Sequence, residues 1–598
     1  MIAKNKESEF SASDDNIHIH VNTIICNGVA GIGFPFPLRG SGALSAACLV
    51  LIAAGCSAGA GMAYADSILQ QVGVTQLQQL VPGLTGGGMA VAQVEAPNAV
   101  GGVACPDPAL LGQPSSKFTF IGADGSVSTV YSSSTYSGHA EMVASFFYGN
   151  GGQGVAPGVS AVDCYDVLYF QPSIIAAGTP PLMNVSGIPS PQSPAVVNQS
   201  FVYEGISESA DQTYTSEWDS YAAKYNTLFV SAIGDGAELS WSYSSVNPPS
   251  DMYNGIAVAA FGGATGIGPT GDGRSKPDIT APGTYTSFST PIVSGVATLM
   301  EQAGRGTDLP GPVGLNSSDA AIIAQGATAY TAAATDIRTV KALLLNGAVK
   351  PVGWTNSYSV NNGTYTYNAV STKAITPLDP RYGSGVVNAY NSYENLAGGE
   401  HNYSSATSQS IAALPSVTSS PTANFSGSVS EAASATNPAT VTGWNLATIA
   451  ATSTSNAVEN YDFNLTGTSV NSWDLTATLT WNKDYNASGI NHLMLFLLNS
   501  SGQQVASSTS MLDNVQQINI NPALGINSLA PGQYDLAVEM LGGVNAISTS
   551  DTYALAWNFV DPTTVPEPAA LATFAIGLAM FMLPRKRKVV TALGSIKQ

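Results

Sequence analysis

Short apolar runs and longer mixed stretches alternate along the first two thirds of the chain. Residues 89–95, 159–167, 195–200, 227–233 and 255–260 are brief, rich in Val, Ile and Ala, and bounded by Gly or Pro. Runs of that length and composition are buried strands. Between them lie segments with helical patterning, such as 206–225. The alternation predicts an α/β domain over residues 86–400, built on a mostly parallel sheet flanked by helices. Residues 401–440 shift to Ser, Thr, Ala and Asn and read as a linker. Beyond it the period shortens to two. Leu475, Ala477, Leu479 and Trp481 share one face, and 492–498, 516–520, 534–540 and 553–559 follow between turn residues. Many strands with Gly and Asn turns predict a C-terminal β-sandwich over 441–562.

The two ends carry different patterns. Arg39 precedes an apolar run over about 43–54, followed by Ala63-Tyr64-Ala65. A short apolar core before an A-x-A site predicts a secretory signal over 1–65, with a long polar lead and cleavage after Ala65. Attachment through Cys56 as a lipoprotein is the other reading, with Ala53 where a larger aliphatic residue is usual. Residues 66–85 then form a short N-terminal segment. At the far end Val565-Pro566-Glu567-Pro568 leads into an apolar stretch, 569–583, and then Arg585-Lys586-Arg587-Lys588. That stretch is shorter than the ~20 residues of a full span, and the basic cluster behind it is a cytoplasmic stop signal.

Charge narrows the partners. The chain has 598 residues and a net charge of −20. Without the three basic and four acidic residues of 1–65 and the five basic residues of 585–598, 11 basic and 35 acidic residues remain, a net of −24. Nucleic acid is therefore not an expected partner, because neutralising phosphates takes Lys and Arg. Of five Cys, only Cys105 and Cys164 follow Ala65. In an exported chain such a pair forms either one disulfide or two buried thiols. No CxxC or His/Cys cluster argues for zinc.

Three segments carry candidate chemistry. The strand at 89–95 ends in Glu95. Gly138-His139-Ala140-Glu141 precedes Gly154-Val155-Ala156-Pro157. Thr286-Ser287-Phe288-Ser289-Thr290-Pro291 opens a run in which Ile292, Val293, Val296, Leu299 and Met300 recur at helical spacing. Ser287 thus lies near the N-terminus of a buried helix, where the dipole favours negative charge. A nucleophilic Ser needs a base, and the base needs an orienting acid. The order acid, His, Ser is present, and of the five His only His139 falls between residues 66 and 400.

On these motifs the region resembles the subtilisin-like serine protease (subtilase) family. His139 matches the family's catalytic His, Gly154–Pro157 its G-V-A-P, Ser287 its catalytic Ser, and 381–389 its closing Y-G-x-G-x-x-N-A. The resemblance implies a subtilisin-like fold and an endopeptidase acting on protein or peptide substrates. Ser287 would be the nucleophile, His139 the base and Glu95 the orienting acid. Asp235 stands where the family has its oxyanion Asn, and would help only when protonated, which implies an acidic optimum. Residues 198–202 align with the family's substrate-pairing edge strand, placing Ser200 and Phe201 on the substrate wall. Calcium is common in the family, though no acidic cluster shows a ligand spacing, and no other cofactor is implied.

Four features depart from the family: Glu95 for Asp, Asp235 for Asn, Tyr285 for Gly, and a short turn before Ser287. Few residues separate the signal from the first strand. Together they motivate an alternative, a catalytically silent subtilase-fold surface protein used for binding or adhesion. A sedolisin-like arrangement is disfavoured, since Glu141 lies two residues from His139 and faces away from it. The C-terminal trio resembles a PEP-CTERM sorting tail. It implies transfer by exosortase-type machinery in a Gram-negative bacterium, a transient membrane anchor through 569–583, and display at the cell surface or release.

Overall fold

The computed structural model describes residues 68–96, 105–130, 137–152, 154–179, 195–236, 245–305, 333–356, 358–361, 364–367, 370–374, 376–410, 439–467, 472–484, 489–543 and 546–561. The expected signal (1–65), most of the expected linker and the expected sorting tail (563–598) lie outside the described residues.

An eight-stranded sheet forms the centre of the first half. Its strands are β1 (Ala90–Glu95), β2 (Phe118–Ile121), β3 (Val127–Ser128), β4 (Ala161–Asp166), β5 (Val196–Gln199), β6 (Leu228–Ala232), β7 (Ile256–Phe261) and β8 (Ile279–Pro282). The order is β3-β2-β4-β1-β5-β6-β7-β8, and every pairing is parallel except β2 with β3. Parallel strands covered on both faces must be apolar throughout, and β1, β4, β5 and β6 are buried at every residue. The chain runs outward from β1 to β2 and β4, then returns to β5 on the other side. β1 is therefore the point where the winding reverses, and a crevice opens at the carboxyl ends of β1 and its neighbours. Glu95 is the last residue of β1, Ser200 follows β5, and Asp235 follows β6.

Two helices, Gly138–Phe147 and Thr286–Arg305, carry the candidate chemistry. Helix α1 (Gly138–Phe147) starts at Ser137, whose hydroxyl accepts from Ala140 N. Helix α2 (Glu208–Tyr225) is capped by Ser207 and ends on Asn226 at φ 49, as Ser and Asn favour at those positions. Helix α3 (Thr286–Arg305) is buried along almost its whole length and packs across β5, β6, β7 and β8. At Gly295 a Cβ would stand 2.4 Å from Val155 Cβ, so glycine there lets α3 press against the turn that follows α1.

Residues beyond 400, joined by Lys373–Ala374 at one edge, form two sheets around one core. One runs Lys373–Ala374, Gln504–Ser508, Leu493–Asn499, Gly532–Met540, Ser455–Leu465, Ser405–Ser410, and is antiparallel apart from the two-residue edge. The other runs Thr442–Ala450, Ser550–Val560, Asp474–Trp481, Val515–Ile520. Leu475, Ala477, Leu479 and Trp481 meet Tyr461, Leu495, Leu497 and Leu536 from the opposite sheet. The stretch read as linker thus contains a strand near its start: Ser405–Ser410 pairs antiparallel with Ser455–Leu465, its backbone completing that sheet's edge. The outer face of the four-stranded sheet carries small and polar residues and packs on helix α4 (Ile337–Gly347) of the first half. Thr478 Oγ1 donates to Asn346 Oδ1 at 3.0 Å, Thr480 Oγ1 to Arg338 O at 2.8 Å, and Gln517 Nε2 to Leu345 O at 3.1 Å. All three donors are buried, so these hydrogen bonds join the two halves away from solvent.

Candidate active site

Strand β1 and helix α1 bring the acid to the imidazole. His139 Nδ1 lies 2.8 Å from Glu95 Oε2. The Glu95 side chain is 2% exposed and that of His139 15%. The other carboxylate oxygen, Oε1, accepts from Gln93 Nε2 at 2.8 Å. Burial works against the charged imidazole, but the Glu95 carboxylate, its hydrogen bond and the nearby Asp235 together hold the His139 pKa above its ordinary 6.5. Among the described residues Nε2 has no hydrogen-bond partner, so the ring's outer nitrogen is available. The ring also packs on Phe288, centroids 5.7 Å apart, and Phe288 is the residue after Ser287.

Helix α3 begins one residue before Ser287. The turn out of β8 is only three residues long, and a Cβ on Gly283 would meet Ser289 Oγ at 2.3 Å, so glycine permits the short entry. Pro291 lacks the N–H that would bond Ser287 O within the helix. Ser200 Oγ supplies the missing donor, at 2.8 Å from Ser287 O. Ser200 is itself held by Asn198 Nδ2 at 3.0 Å, and Asn198 Oδ1 accepts from Ser294 Oγ at 2.9 Å. The sequence places Asn198 only on the substrate-pairing segment and gives Ser294 no role; an Asn in a strand buried at every residue is the available signal.

The Ser287 hydroxyl donates to Ser200 O at 3.3 Å. Among the described residues it makes no hydrogen bond to His139, and its own backbone N–H has no partner. That N–H stands at the positive end of α3. Asp235 Oδ1 accepts from Thr286 N at 2.9 Å and Thr286 Oγ1 at 2.8 Å. Asp235 is flanked by Gly234 at φ 105 and Gly236 at φ 89, a left-handed pair that turns the chain toward the helix start. The structure therefore brings Glu95, His139, Ser287, Ser200 and Asp235 to one crevice.

One expectation changes. β5 is not an edge strand, since it pairs with β1 and β6; only residues past Gln199 leave the sheet. Ser200, buried at 3%, braces Ser287, and Phe201, at 4%, packs edge-on against Tyr203. Cys105 and Cys164 are buried and are not joined in a disulfide. Glu141 accepts from Asp107 N at 2.8 Å, away from His139, and burial pushes its pKa up to about 7. Among the described residues no three His, Cys, Asp or Glu gather to hold a metal. Also among the described residues, no helix is long and apolar enough to cross a membrane.

The subtilase family model matches residues 110–385, a span holding His139, Ser200, Asp235 and Ser287 but not Glu95. No curated protein matches the chain. Similar solved structures include proteases from Pseudoalteromonas arctica PAMC 21717, at 19% identity and TM-score 0.30, covering 52% of this chain and 91% of that one. The A-subunit of the AB5 toxin from E. coli is 19% identical at TM-score 0.34, covering 55% and 99%. The CspB protease of Clostridium perfringens is 14% identical at TM-score 0.35, covering 55% and 97%.

Proposed function

We propose that the chain is a serine endopeptidase of the subtilisin type with a Ser287–His139–Glu95 triad. The observation that carries this is the buried Glu95 carboxylate on His139 Nδ1, with the imidazole packed beside the residue that follows Ser287. With Nδ1–H held by Glu95, Nε2 is the basic nitrogen. The Ser287 hydroxyl turns from Ser200 O toward Nε2, gives up its proton there and attacks the peptide carbonyl. The oxygen that becomes negative lies near the Ser287 N–H and the helix terminus. His139 then passes the proton to the leaving amine, and water reverses the sequence to release the acyl group.

Neutral His139 is the working base, and its pKa is raised. The acid limb of kcat/KM is therefore expected above pH 6.5, which replaces the acidic optimum drawn from the sequence. Two donors from Thr286 suit an ionised Asp235, so its protonation is not needed to build the site.

The silent, binding reading has its own observation: the resting Ser287 hydroxyl is on Ser200 O, with a carboxylate at residue 235. A fluorophosphonate probe separates the two. Labelling between pH 7 and 9 that disappears in Ser287→Ala is expected for the protease, and no labelling from pH 4 to 9 selects the silent protein. As part of the same reading the chain is exported by its N-terminal signal. It is then sorted through an exosortase-type step, anchored transiently by 569–583, and presented at the surface of a Gram-negative cell or shed. That part rests on the sequence patterns alone.

A further inference from the structure

Gln93 precedes Glu95 by two residues on β1, so both side chains leave the strand on one face. It is wholly buried. Its amide nitrogen donates to Glu95 Oε1 at 2.8 Å and to Ala140 O at 3.0 Å. Its amide oxygen accepts from Tyr148 Oη at 2.5 Å. Both donors and the oxygen are thus engaged, and the partners fix which way the amide points. Turned over, its oxygen would face a carboxylate and a carbonyl. Ala140 is the residue after His139 on α1. The amide therefore fastens the carboxylate to the same turn of helix that carries the imidazole.

Resting on the protease reading above, we propose that Gln93 is a positioning residue of the triad, clamping Glu95 so that a glutamate can do the work of an orienting acid. Glutamate has one more rotatable bond than aspartate, and a carboxylate held by one oxygen alone can swing. With Oε1 on Gln93 and Oε2 on His139, the carboxylate plane is set from both sides. Tyr148 acts one step further out, by choosing the orientation of the amide.

The test is Gln93→Met in the full chain, a side chain of similar length without hydrogen bonds. The kcat and the rate of fluorophosphonate inactivation are expected to fall about 10–100-fold, with KM within about twofold. The acid limb is expected to move to higher pH. The donor stabilises the carboxylate most when His139 is neutral, so losing it raises the proton affinity of the pair. Tyr148→Phe keeps the ring and removes the donor that orients the amide; a smaller loss in the same direction is expected. Wild-type kcat and an unmoved acid limb in Gln93→Met overturn the proposal, and where that variant does not fold the same result in Tyr148→Phe does so. If the wild-type chain neither labels nor cleaves, the protease reading fails separately. The His139 titration by NMR, assigned by its loss in His139→Asn, then decides: an upward shift in the variants supports the clamp, and identical curves overturn it.

Discussion

At residue 235 a carboxylate stands close to where the proposed reaction develops negative charge. One of its oxygens is fixed, because Oδ1 takes both donors of Thr286 at the start of α3. The carboxylate then acts twice against catalysis. It repels an oxyanion, and it contributes to the raised His139 pKa, keeping more of the base protonated near neutrality. Asparagine has the same shape, with Oδ1 able to keep both Thr286 bonds and Nδ2 in place of the second oxygen. Asp235→Asn is therefore expected to raise kcat/KM about 10-fold or more, from the typical worth of one oxyanion donor, and to move the acid limb to lower pH. A pH series of kcat/KM checks both. A limb that stays or rises, or a lower plateau, would count against this placement of Asp235.

At the scale of elements, the start of α3 is held to β5 by a chain of side chains, Ser294 to Asn198 to Ser200 to the Ser287 carbonyl. Ser294, Asn198 and Ser200 are all buried, so removing one leaves others without partners in a dry interior. Asn198→Ala is expected to cost about 1–3 kcal/mol in stability and to lower kcat more than it raises KM; denaturant unfolding and steady-state kinetics measure the two. Much of the scaffold for this was legible beforehand. The runs at 89–95, 159–167 and 227–233 correspond to β1, β4 and β6 within two residues, because strands buried on both faces must be short and apolar. β2 escaped notice, since Phe118–Ile121 is only four residues with a Thr in the middle. The Asn198–Ser294 link was not legible, because the two residues are 96 apart and only the fold makes them neighbours. Gln93 was partly legible, as a polar residue two before a candidate acid in an apolar strand.

At the scale of the molecule, buried acids set a pH dependence that opposes the activity profile. Burial pushes Asp163 to about 7 and Glu301 to about 8 in the first half, and Glu539 to about 7 in the sandwich. Each folded pKa lies above its unfolded value of 3.8 or 4.5. The folded chain therefore holds protons that the unfolded chain releases, and stability falls as pH rises from about 4 to 8. His139, also raised, works in the same direction above 6.5. Lys350 and Lys341, which burial lowers to about 7 and about 8, oppose part of this by adding stability as pH rises toward 8, and so, at lower pH, does Asp278, whose pKa is lowered despite its burial by Lys276 at 2.6 Å and Lys341 at 3.2 Å. That stabilisation is complete above the unfolded 3.8 and is lost only below it, so it does not offset the trend between pH 5 and 8. Because the halves share the seam along α4, these groups act on one cooperative structure. In Ser287→Ala, chosen to prevent self-cleavage, Tm is expected to be higher at pH 5 than at pH 8 by about 5 °C or more. Calorimetry at the two pH values decides it, with an equal or higher Tm at pH 8 the contrary result. If the proposed reading holds, the chain is more stable where its base is protonated and idle, and gains activity as the pH rises through the range in which its buried carboxyls begin to weaken it.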